Sequence, residues 1–130
     1  MNNFEYVYKE LENLFINKLP DYIEKVNVEH NDGIIIKPFE NTKLEENCIN
    51  LPSFSFALEQ AEYEEKDRII ENTVYEISID IKLHPNTDKQ TIIFFRYAEA
   101  INMTIKDNEN WQDCRITNIK ETKIIIRITV

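Results

Sequence analysis

The sequence predicts an α+β domain in two layers: two helices packed on one face of a mostly antiparallel sheet. Three observations carry that prediction. In "TVYEISIDIKL" (residues 73–83), Tyr75, Ile77, Ile79, Ile81 and Leu83 alternate strictly with Glu76, Ser78, Asp80 and Lys82. Such alternation marks a strand with one buried face, not the two-sided burial of a parallel sheet. In "TDKQTIIFFRYAEAINMTIK" (residues 87–106), apolar residues recur at helical spacing. Finally, 130 residues with 42% hydrophobic and 11% aromatic content suit one folded domain spanning 1–130. A chain of that length buries about two-thirds of its unfolded surface, so it needs no metal or disulfide staple.

The elements follow in order. Phe4, Val7, Tyr8, Leu11, Leu14, Phe15 and Leu19 form one stripe, which predicts a helix over 4–18. Pro20 is expected to end it, because proline lacks an N–H and disfavours helix at the residue before it. "KVNVEHNDGIIIKPF" (25–39) reads as a hairpin turning at Asn31-Asp32-Gly33, with Gly33 supplying a positive φ. Residues 38–52, polar and bounded by prolines, read as a loop. "SFSFALEQAEY" (53–63) alternates as a half-buried strand, and "EEKDRIIEN" (64–72) reads as a charged connection. After the strand at 73–83, Thr87 and Gln90 form a capping box that starts a helix running to Lys106. "WQDCRITNI" and "KIIIRITV" make a last hairpin across Glu121-Thr122. The expected order is α-β-β-β-β-α-β-β.

Composition excludes several functions. The net charge is −9 and the pI about 4.7, so the overall field repels nucleic acid and anionic lipid; neither is an expected partner. Gly33 is the only glycine. A P-loop or a dinucleotide-binding turn needs several, because the backbone must approach phosphate closely. "TIIFF" and "IIIRITV" are too short to cross a bilayer, and no signal peptide is visible, so a cytoplasmic location is expected. Cys48 and Cys114 lack metal-ligand spacing and read as two reduced thiols. No cofactor is expected.

Candidate chemistry is sparse. His30 and His84 lie beside turn residues, with no cysteine or carboxylate at zinc-ligand spacing. Ser53, Ser55 and Ser78 lie on expected strands without a nucleophile elbow, and read as solvent-facing. Glu59, Glu62, Glu64, Glu65, Asp67 and Glu71 cluster in sequence. They read as a solvated charged segment or, if functional, as an acidic face toward a partner. Trp111 and Tyr97 suit core packing better than stacking on a ligand. In the helix of residues 87–106, Phe94, Tyr97, Ala98, Ile101 and Ile105 form a core stripe. Ile92, Phe95 and Met103 fall opposite it. Two covers for that second patch compete: the helix over 4–18, or another subunit.

The whole-chain pattern resembles the tail terminator and tail completion proteins of long-tailed phages and related minor tail components of prophages. Four features carry the likeness: a first amphipathic helix ending at Leu19-Pro20; a strand opening after proline as "PSFSFALE"; the strand "VYEISIDIKL" leading through a short turn into a helix containing "YAEAI"; and the closing hairpin "CRITNIKETKIIIRITV". The resemblance implies a non-enzymatic structural protein that assembles as a ring with other tail or head–tail proteins. It carries over no catalytic residue. The competing expectation, from charge alone, is an acidic, immunity-like binding domain that engages a basic protein.

Overall fold

A computed structural model describes residues 4–41, 50–85 and 88–130, except for the side chain of Glu71. Two helical segments lie on one face of a four-stranded antiparallel sheet of order β1-β2-β4-β3, which is the expected α+β architecture. The strands are β1 (Ser53–Lys66), β2 (Ile69–Lys82), β3 (Asp113–Lys120) and β4 (Lys123–Thr129). Helix α3 (Gln90–Lys106) joins the two strand pairs. Ile77, Ile79 and Ile81 of β2 and Ile124, Ile126 and Ile128 of β4 present one continuous apolar face. Against it pack Leu11, Phe15, Leu19, Tyr97, Ile101 and Ile105 from the helices, all fully buried.

The structure corrects the sequence reading over residues 19–39. Pro20 does not end the first helix. Helix α1 (Phe4–Asn13) passes through a π-helical turn, Leu14–Lys18, and continues as α2 (Leu19–His30). The Leu19 N–H reaches back five residues to the Leu14 carbonyl. That wider turn lies just where an α-helix would push the Pro20 ring against a carbonyl four residues earlier. The helix therefore survives with a local bulge, and the stripe continues through Leu19, Ile23 and Val26, all buried.

The expected hairpin at 25–39 is consequently absent. Asn31 and Gly33 do have positive φ, but they stop a helix; they do not turn a ribbon. Asn31, in the left-handed region, caps α2 by donating its N–H to the Asn27 carbonyl at 3.1 Å. Residues 34–41 then run as an extended strap outside the sheet. Side chains supply the hydrogen bonds a neighbouring strand would have given. The Asn27 amide accepts from the Ile36 N–H and donates to its carbonyl, both at 2.9 Å. The Tyr97 hydroxyl accepts from the Lys37 N–H at 3.2 Å and donates to its carbonyl at 2.5 Å. The Asn41 amide does the same for Phe54, joining the strap to β1. The ring of Phe39 stacks on Tyr97 with centroids 4.7 Å apart.

Two further differences concern residues 64–72 and the start of α3. "EEKDRIIEN" is no irregular connection: it is the tip of the β1–β2 hairpin, turning through Asp67 and Arg68, both at positive φ. Helix α3 begins at Gln90, whose side-chain amide donates to the His84 and Pro85 carbonyls at 3.3 Å. Thr87, the expected cap, lies outside the described residues, as does Cys48.

Candidate functional site

Two surfaces at opposite ends of the sheet stand out. The first is an arm. Strand β4 pairs with β2 only up to Val74, and Val130 closes the ladder on Thr73. Beyond that point, the backbones of residues 64–66 and 69–72 pair only with each other. At about 3.3 Å per residue, three paired positions carry the ribbon about 10 Å past the sheet. It exposes Tyr63 at 61%, Ile69 at 67% and Ile70 at 52%. The bulge at Glu71 resets the alternation: Ile70, paired with Glu65, shares the face of Tyr63 that the helices cover elsewhere, and Ile69, paired with Lys66, points to the opposite face.

The predicted acidic cluster lies mostly on this arm or at its base. Glu62, Glu64, Glu65 and Asp67 are exposed. Glu64 accepts from the Asn72 amide at 3.3 Å, which in turn accepts from Gln112 at 2.9 Å, tying the arm's base to the start of β3. Glu71 belongs to β2; its side chain lies outside the description. Glu59 separates from the group. It bulges out of the ladder between Leu58 and Gln60 and accepts from the Ser78 hydroxyl at 2.7 Å. The expected solvent-facing serines are corrected here: Ser78 is buried on the helix-free face, as is Ser53, and of the three only Ser55 is exposed.

The second surface is a groove of about 500 Å³ between the start of α3 and the β3–β4 turn. Leu51, Ile81, Leu83, Phe94 and Phe95 give it an apolar wall, and Asp80, Lys82, Glu121 and Thr122 are among its polar lining. A smaller hollow of about 160 Å³ adjoins it across Leu83, beneath Ile35 and Ile93. Ile92 and Phe95 stand exposed at 44% and 52% on α3. The patch predicted from the helix therefore divides. Met103 is partly buried against the core. Alongside, α2 docks on α3 through Tyr22–Asp107 at 2.7 Å, His30–Glu99 at 2.9 Å and the Asp32–Arg96 pair. Ile92 and Phe95, nearer the helix start, have no such cover.

The remaining candidates take structural places. Arg96 is buried and donates to both carboxylate oxygens of Asp32 and, at 2.8 Å, to the Ile34 carbonyl. The Arg96 hydrogen bonds hold the Asp32 carboxyl well below the usual carboxylate range. Burial pushes the Tyr97 phenol up to about 12 and the Cys114 thiol up to about 12. A thiol so raised is a poor nucleophile at neutral pH. Trp111 is buried just before β3, and His84 is exposed just after β2. Among the described residues, no three His, Cys, Asp or Glu side chains gather to hold a metal ion, and no helix is long and apolar enough to cross a membrane.

Sequence reasoning found Phe95 and Ile92 by their helical angle, but missed Ile69, Ile70 and the groove. The two isoleucines sat within a charge run, which masked them as part of a connection. The groove joins residues from four separate segments, so no local pattern announces it. Compared with known proteins, the chain matches no family model and no curated sequence.

Proposed function

We propose that the chain is a non-enzymatic assembly subunit of a phage or prophage tail, of the terminator or completion type, that self-associates into a ring. One observation carries the self-association: Ile92 and Phe95 remain open beside an apolar groove although two helices pack nearby. Large exposed apolar groups beside a concave apolar surface are the kind of area that protein partners cover. The tail assignment draws on the element order from β1 to β4. The likeness in the first helix is reduced, because that helix continues to His30. Sedimentation velocity and native mass spectrometry across a wide concentration range test the reading. The expected result is a closed oligomer in the wild type and a folded monomer for Phe95→Asp. A wild type that stays monomeric at every concentration, or a Phe95→Asp chain that assembles normally, overturns it.

One observation favours a second reading, an acidic or immunity-like domain that engages a basic protein: Glu62, Glu64, Glu65 and Asp67 are exposed on or beside a projecting arm. Association of that kind slows steeply as salt rises. Binding of a basic protein at a rate indifferent to ionic strength would remove this alternative.

A further inference from the structure

We infer that the partner of the arm is the groove of a second copy of this chain, so that subunits join head to tail. The inference rests on the self-association reading and gives it a geometry. The arm is a two-stranded ribbon, a structure that is marginal in water by itself, yet it holds Tyr63, Ile69 and Ile70 in solvent. The groove offers the complementary surface: an apolar wall from Leu51, Leu83, Phe94 and Phe95. Within one molecule the two cannot meet. Ile69 starts β2 and Ile81 lies near its end, about 40 Å along the strand at about 3.3 Å per residue.

Charge favours the same pairing. Residues 62–72 carry Glu62, Glu64, Glu65, Asp67 and Glu71 against Lys66 and Arg68. The groove lining itself is mixed, Lys82 beside Asp80 and Glu121; the chain positions next to that lining add Lys89, Lys120 and Lys123 against Asp88, in a chain whose net charge is −9. Asp80 is moreover engaged by the Thr122 hydroxyl at 3.0 Å. An acidic arm with apolar flanks thus meets an apolar groove that lysines flank in sequence. Because the two surfaces differ, the contact is heterologous. It generates a ring if the rotation closes and a filament if it does not, and it has no two-fold axis.

A mixing experiment tests this. The arm variant carries Ile69→Ser and Ile70→Ser; the groove variant carries Phe95→Asp. Thr91→Arg, at an exposed groove position, serves as a second groove variant should the first not fold. Circular dichroism first establishes that each is folded. Alone, each variant should associate at least about 100-fold more weakly than wild type. Mixed, they should form a one-to-one pair that grows no further, since an intact groove on one meets an intact arm on the other. An arm variant that assembles like wild type, or a mixture that yields no pair, overturns the arm-in-groove contact while leaving self-association standing. A wild type that never associates overturns both.

Discussion

The two halves of the β1–β2 hairpin are built from the same two strands and have opposite fates. In the half beside the helices, Phe54, Ile77, Ile79 and Ile81 are buried. In the distal half, Ile69, Ile70 and Tyr63 are equally apolar and stand in solvent. Propensity and alternation cannot separate these halves. The difference is whether a helix lies across the face and whether β4 lies alongside. One half is the core of the fold; the other is a two-stranded ribbon with no third strand beside it among the described residues.

That contrast can be pressed with substitutions. Ile79→Ala removes buried methyl groups from the sheet's centre and should lower the unfolding free energy by about 2–5 kcal/mol, measured by urea denaturation. Asn27→Ala leaves the Ile36 N–H and carbonyl without their partner, and should cost about 1–3 kcal/mol in the same assay. If that variant matched wild type, the strap would be held by packing alone. Arg68→Gly relieves a left-handed φ of 68° at the arm's turn. It should firm the arm by about 1 kcal/mol, seen as about fivefold slower amide exchange over residues 63–72 with little change in global unfolding. Smallest of all, Ile69→Ser with Ile70→Ser should alter the stability of the monomer by less than about 0.5 kcal/mol. A large loss there would mean the arm is part of the core, and the comparison between the two halves would fail.

The legible parts of the sequence were those where one physical effect dominated. Strand β2 was read correctly because five consecutive alternate positions were apolar and faced one layer. Strand β4 was legible for the same reason. Helix α3 and its core stripe were legible because Phe94, Tyr97, Ile101 and Ile105 left no other period. Residues 19–39 misled because two local signals were sound and a third effect outweighed them. Proline disfavours an α-helix and Asn-Asp-Gly favours a turn, but burying Leu19, Ile23 and Val26 under the sheet favoured helix more strongly. One π-turn removed the proline clash. The Asn-Asp-Gly sequence then served as the helix stop, and Asp32 became the anchor for Arg96.

By itself the sequence determined the class of the fold, the faces of its central strands and the core stripe of its long helix. Each of these follows from side-chain periodicity, a property of neighbouring residues. Only the tertiary structure decided that Met103 would be covered while Ile92 and Phe95 stayed open, that a charge run would become a projecting arm, and that the groove would form at the sheet's other end. Those outcomes depend on where α2 docks and where β4 stops, and both are set by contacts between residues distant in the chain.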